Sequence, residues 1–142
     1  MTYYEEMSPY AYFPDSVPDE VTALAVGWLE DDHGYTAGPV PDGFLHNLGL
    51  LVRDERQMQT RGWHSCTLPR DGKTCGYPVK VEILGDTRSL GGAEIRVVAE
   101  SGEWLIAPDL IYHYVADHSY HPPQAFIDAV NAHRTAPRPD AG

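Results

Sequence analysis

Turn-forming residues recur so often along this chain that long helices and long strands are not expected. Twelve prolines and 13 glycines are spread over 142 residues. Proline removes a backbone donor and clashes inside a helix, and glycine loses conformational entropy in either kind of element. The length is close to that of one ordinary domain and too short for two. We therefore predict a single domain of short elements over residues 1–134.

Hydrophobic periodicity predicts both strands and helices within that domain. Apolar residues alternate with polar ones in some segments and recur at helical spacing in others. The predicted strands are 22–29, 79–84, 93–99 and 103–107, and the predicted helices are 41–53, 108–118 and 122–134. Short glycine-bearing connections join the last three strands, which is typical of an antiparallel meander. The expected fold class is α+β, with a small antiparallel sheet (meander) packed against about three helices.

The two ends of the chain differ from this pattern. Residues 1–20 hold five aromatic side chains among prolines: Tyr3, Tyr4, Tyr10, Tyr12 and Phe13. We expect an extended aromatic N-terminal arm that packs along the core, because the prolines oppose a helix and buried aromatic rings contribute strongly to a core. Residues 135–142 hold two prolines and no apolar periodicity. A disordered tail is expected there.

The charge balance limits the classes of partner. Ten basic residues face 21 acidic ones, giving a formal net charge of -11. Such a surface repels phosphate backbones and anionic lipids, so binding to nucleic acid or membranes is not expected, whereas a basic protein partner is compatible. The first residues lack the features of a signal peptide, and no apolar run approaches the roughly 20 residues of a membrane helix. We expect a cytoplasmic protein whose two cysteines stay reduced.

One histidine and both cysteines lie near the middle of the sequence. In an extended segment, residues i and i+2 point to the same face, so His64 and Cys66 would project together. Cys75 follows nine residues later, beyond a loop that can fold back. Imidazole nitrogens and thiolates are common zinc ligands. The alternative interpretation is that both cysteines are small buried apolar side chains and that His64 is hydrogen-bonded within a sheet.

A second group of candidate residues lies in the predicted helix 108–118. His113 and Asp117 are four residues apart and share a helix face, so they can ligate a metal ion or act as a base and its orienting carboxylate. His118 lies five residues after His113, which places the two about 140° apart on an ideal helix. A single helix is therefore not expected to offer both histidines to one ion unless it ends before His118. For His113 the alternative is a core histidine with satisfied hydrogen bonds.

Six short motifs are spread over most of the chain. They are SPYAYF at 8–13, VGWL at 26–29, RGWHSC at 61–66, AEIRV at 93–97, APDLIYHYV at 107–115 and HSYHPP at 118–123. Together they resemble a family of small actinobacterial proteins known as a domain of unknown function. The resemblance implies no particular activity. In the family pattern a further cysteine closely follows His-x-Cys, whereas here the next is Cys75, which implies a displaced or lost ligand if the family binds a metal.

The leading functional hypothesis is a small metal-binding protein. Its ligands would be His64, Cys66, Cys75 and His113, and the ion would be zinc because the ligands mix nitrogen and sulfur. Four protein ligands would make a closed structural site. Three would leave a position for a water molecule and hydrolytic chemistry.

Two other hypotheses remain open. An acidic interaction protein of the immunity type would mask a basic partner without a metal, through the acidic N-terminal third of the chain. A small enzyme would gather His113, Asp117, His118 and Tyr120 in a pocket, or would use Cys66 as a thiolate nucleophile with His113 as its base.

Overall fold

Three α-helices and two small sheets make up the computed structural model, which describes residues 3–30, 33–60, 63–68 and 75–138. The expected α+β class is confirmed. In chain order the elements are a 3-10 helix (Pro14–Ser16), β1 (Ala23–Ala25), α1 (Phe44–Asp54), β2 (Val79–Ile83), β3 (Asp86–Leu90), β4 (Glu94–Val98), β5 (Trp104–Pro108), α2 (Ile111–His118) and α3 (Gln124–Asn131).

The strands form two separate sheets. The larger has the order β1-β5-β4, with β1 parallel to β5 and β4 antiparallel to it. The smaller is the antiparallel hairpin β2-β3, whose turn residues Leu84 and Gly85 both have positive φ. This is the backbone geometry of a tight two-residue hairpin turn. The arrangement differs from the predicted meander, because residues 86–90, expected to be a connection, form the strand that pairs with β2.

The larger sheet is covered on both faces. Along β5, Leu105 and Ala107 point into a core shared with the three helices. Trp104 and Ile106 point the opposite way into a second core, formed with the N-terminal residues. This alternation follows the two-residue period of a strand, and it explains why every residue of β5 is buried.

The N-terminal arm packs along the second face, as the sequence predicted. The Met7 amide donates to the carbonyl of Ala25 at 2.8 Å, so the arm runs beside β1. The rings of Tyr4 and Tyr12 lie 5.4 and 5.3 Å from the Trp28 ring. The arm therefore supplies the apolar cover that the helices give to the other face.

The helices enclose the first core. The buried side chains of α1 include Phe44, Leu48 and Leu51, and this helix packs against both α2 and α3. Only two residues separate β5 from α2, so the sheet fixes where α2 begins. Among the described parts of the chain, no helix has the length and apolarity that a bilayer crossing requires.

The first residues after α3 contact the larger sheet and the segment that follows α1. The Ala136 amide donates to the carbonyl of Arg96 at 2.9 Å, and the side chain of Gln57 donates to the carbonyl of Ala136 at 2.9 Å. Ala136 is only 4% exposed. Thr135 and Ala136 thus extend the edge of the larger sheet, while 139–142, the rest of the predicted tail, lie outside the described residues.

Candidate metal centre

Four side chains converge between the segment 63–68, the start of the β2 region and α2. We call Cys66, Cys75, His113 and His118 the Cys/His cluster. One ligand atom from each lies within 4.8 Å of all the others, close enough to hold a metal ion. The Nε2 atom of His118 is 3.2 Å from that of His113, 3.4 Å from the sulfur of Cys66 and 3.5 Å from the sulfur of Cys75.

The backbone of Gly91 forms hydrogen bonds with both the segment that contains Cys66 and the residues before α2. The His64 amide donates to the carbonyl of Gly91 at 2.8 Å. The Gly91 amide in turn donates to the Asp109 carboxylate at 2.7 Å, two residues before α2 begins. A Cβ on Gly91 would lie 2.3 Å from the His64 carbonyl oxygen. The close approach of these two backbone segments therefore requires glycine.

A second hydrogen bond brings the two cysteines together. The hydroxyl of Tyr77 donates to the carbonyl of Trp63 at 2.8 Å, which joins the backbone before Cys66 to the backbone after Cys75. Both cysteines are free thiols, and their sulfur atoms lie within 4.8 Å of each other.

The C-terminal half of α2 orients both histidines. His113 and Asp117 lie one helical turn apart, and the Nδ1 atom of His113 is 2.8 Å from the Asp117 carboxylate. Because a carboxylate accepts, Nδ1 carries the proton in neutral His113, and its Nε2 lone pair points toward the cluster. The helix ends at His118, since Ser119 adopts a left-handed conformation with φ of 57°. The Tyr35 hydroxyl donates to the His118 carbonyl at 3.0 Å and fixes this end of the helix.

Burial controls the charge of the cluster. His113 and His118 are 1% and 8% exposed, whereas both cysteines are partly exposed. Burial raises the pKa of the Cys66 thiol to about 12, and the neighbouring Cys75 and Asp117 add to the increase. Two thiolates at this place therefore need a positive charge beside them, which a divalent cation supplies.

The structure brings together three of the four ligands expected from the sequence. Cys66, Cys75 and His113 belong to the cluster, whereas His64 does not. The Nε2 atom of His64 lies 3.1 Å from the Tyr12 hydroxyl instead. The prediction for His64 assumed the alternation of a strand, but residues 63–68 form no strand, so neighbours two apart need not share a face.

His118 is the fourth member, and the prediction that one helix would not present both histidines was wrong for these positions. It relied on the angle between Cα directions on an ideal helix. The Nε2 atoms nevertheless meet at 3.2 Å, because α2 stops at His118 and imidazole side chains are long. Asp117 and His118 form a polar pair that ends the apolar pattern of the helix. This pair is the sequence signal that could have indicated a helix end at His118.

The residues suggested for an enzyme pocket are only partly together. His113, Asp117 and His118 are adjacent. The Tyr120 hydroxyl donates instead to the carboxylate of Glu6 in the N-terminal arm. Tyr120 thus ties the arm to the residues after α2.

The fold and the cluster define the class of this protein as an α+β domain with a Cys2His2 group able to hold a metal ion. The family model of a domain of unknown function, DUF7919, matches residues 2–131. The chain therefore belongs to that family, in agreement with the resemblance to a family without assigned activity. No curated protein and no solved structure matches the chain.

Proposed function

We propose that this protein is a zinc-binding protein in which Cys66, Cys75, His113 and His118 hold one ion in a closed structural site. The ion would join the segment 63–68 and the residues before β2 to the end of α2. Its role would be to stabilise this region of the fold.

The observation that carries the proposal is the spacing of the four ligand atoms. In a tetrahedral zinc site, bond lengths of about 2.3 Å to sulfur and 2.0–2.1 Å to nitrogen imply edges of about 3.3 Å between nitrogens and 3.6 Å between nitrogen and sulfur. The corresponding separations are 3.2 Å between the histidines, and 3.4 and 3.5 Å from His118 to the two sulfurs. The three edges that meet at His118 thus have nearly the lengths of a zinc tetrahedron, and the other three ligand atom pairs lie within 4.8 Å.

The chemistry of the ligands supports zinc for a second reason. Two thiolates and two neutral imidazoles balance the double positive charge of the ion. A neutral complex suits this position, because the histidines are almost fully buried and an unbalanced charge there would be costly. Asp117 is hydrogen-bonded to Nδ1 of His113, the ring nitrogen that would not bind the ion. It matches the carboxylate partner that metal-bound histidines commonly have.

The number of ligands favours a structural role over a hydrolytic one. Catalytic zinc sites keep a position for water, whereas four protein ligands close the coordination sphere. The free energy of zinc binding would then contribute to folding.

X-ray absorption at the zinc edge of the metal-loaded protein tests the ligand set. We expect sulfur scatterers at about 2.3 Å and nitrogen scatterers at about 2.0–2.1 Å, in equal numbers. A first shell of nitrogen and oxygen alone, or one with a single sulfur, would contradict the proposed site.

A further inference from the structure

The two thiols of the Cys/His cluster form its more exposed side. Cys66 and Cys75 are partly exposed, while His113 and His118 are only 1% and 8% exposed. A small solute can therefore reach the sulfurs more easily than the imidazoles.

The same two thiols can react only with each other inside the chain. They are the only cysteines in the sequence. Their sulfurs already lie within 4.8 Å of each other. A disulfide between Cys66 and Cys75 therefore requires the two sulfurs to approach each other by less than about 3 Å.

On the basis of the proposed zinc site, we propose that Cys66 and Cys75 are a peroxide-reactive pair whose reversible oxidation to a disulfide releases the ion. Cysteines bound to zinc are thiolates, and the thiolate is the nucleophilic form of the side chain. The pair is thus a modification site as well as half of the ligand set.

The reaction balances with hydrogen peroxide as the two-electron oxidant. One thiolate sulfur attacks a peroxide oxygen, so that an S–O bond forms, the O–O bond breaks and the departing hydroxide takes a proton to become water. The second thiolate then attacks the sulfenic sulfur, the S–S bond forms, the S–O bond breaks, and the departing hydroxide takes up a second proton to become water. The two sulfurs are each oxidised by one electron, and the peroxide is reduced.

Oxidation removes half of the ligands at once. A disulfide sulfur carries no negative charge and is a poor zinc ligand, so only His113 and His118 remain. Two imidazoles cannot complete the four-coordinate sphere that structural zinc requires. Loss of the ion follows from the loss of the S–Zn bonds.

The experiment exposes the zinc-loaded protein to hydrogen peroxide in the presence of a metallochromic indicator. Free thiols are then blocked and the intact mass is measured. We expect zinc release in proportion to chains that have lost two hydrogen atoms, a Cys66–Cys75 link in the digested protein, and recovery of zinc binding after treatment with dithiothreitol. A Met7→Leu/Met58→Leu variant should release zinc equally, which separates cysteine chemistry from methionine oxidation.

Two results would overturn the inference while leaving the zinc site intact. One is zinc retained with both thiols unmodified after peroxide treatment. The other is release of zinc with sulfinic acids and no disulfide. Purified protein that never holds stoichiometric zinc would instead refute the proposed function, and this inference with it.

Discussion

The Nδ1 atom of His113 lies 2.8 Å from the carboxylate of Asp117, while its Nε2 atom lies 3.2 Å from Nε2 of His118. One imidazole thus links an exposed carboxylate to the Cys/His cluster. The carboxylate fixes the position of the proton on the ring, and the ring presents its lone pair to the position where an ion would bind. Asp117 therefore acts on the cluster through His113.

Replacing Asp117 tests this link. Asp117→Asn should weaken zinc affinity by roughly 10–100-fold, as is usual when the partner of a metal-bound histidine is lost. The fold should persist, because Asp117 lies on the exposed side of α2. Competition with a chelator of known affinity measures the change. Asp128→Asn removes the same charge from an exposed position on α3 and should leave affinity unchanged; equal losses in the two variants would contradict the role of Asp117.

His118 and His64 distinguish the ligand set in the structure from the one expected from the sequence. His118→Ala should lose stoichiometric zinc, whereas His64→Ala should keep it, because His64 contacts Tyr12 and not the cluster. Zinc at a thousand times its Kd stabilises a fold by about 4 kcal/mol, which is worth on the order of 10 °C in Tm for a chain of this size. Metal analysis and melting curves of both variants check this. Zinc retained by His118→Ala and lost by His64→Ala would restore the set predicted from sequence.

The close approach at Gly91 predicts a specific effect on the cluster. Gly91→Ala places a methyl group 2.3 Å from the His64 carbonyl oxygen, so the segment that carries Cys66 must move. We expect a lower Tm and weaker zinc binding. Gly102→Ala is the matched control, since Gly102 has a similar φ, +101° against +106°, but no atom within 4 Å of the added methyl. The control should show only the backbone strain of about 1–3 kcal/mol and unchanged zinc affinity. Weakened zinc binding in Gly102→Ala, or none in Gly91→Ala, would contradict this account.

A buried ion pair on the other face of the sheet predicts a pH-dependent effect. The Arg96 guanidinium lies 2.8 Å from the Glu94 carboxylate, and their side chains are 0% and 3% exposed. Arg96→Met leaves the carboxylate buried without its counterion, which should cost about 3–5 kcal/mol at neutral pH. Equilibrium unfolding in denaturant measures this cost.

The sign of the pH dependence follows from the pKa of Glu94. Burial raises this pKa above its ordinary 4.5, the hydrogen bond from Tyr10 and the charge of Arg96 oppose the rise, and Asp109 adds to it. Without Arg96 the folded-state pKa rises further, so the folded variant binds more protons than the unfolded chain and loses stability as pH increases above 4.5. The cost of the substitution should thus be smaller in mild acid than at neutral pH. Arg53→Met removes an exposed ion pair with Asp54 and should change the free energy of unfolding little at either pH. If the destabilisation by Arg96→Met grew in acid, Glu94 would not be the group responsible for the pH dependence.

The sequence was sufficient to predict those elements whose apolar pattern is strong. The helices and the strands β2, β4 and β5 were predicted at nearly their observed positions. β3 was missed because Leu90 is its only fully buried residue, so its sequence shows no apolar alternation. The parallel pairing of β1 with β5 joins residues about 80 positions apart along the chain, and no local pattern encodes such a contact.

The candidate site was predictable by residue type and less so by geometry. Cys66, Cys75 and His113 stood out because their side chains are the common zinc ligands. The choice between His64 and His118 depended on backbone details that periodicity does not contain. Residues 63–68 are held by hydrogen bonds such as that from the His64 amide to Gly91, and not by strand pairing, while α2 ends at His118 itself.

Elemental analysis of the purified, tag-free protein, with melting curves before and after chelation, tests the central claim most directly. We predict about one zinc ion per chain, and a fall in Tm on chelation that is reversed when zinc is restored. A protein without stoichiometric metal, whose melting curve is the same with and without chelator, would contradict the zinc site.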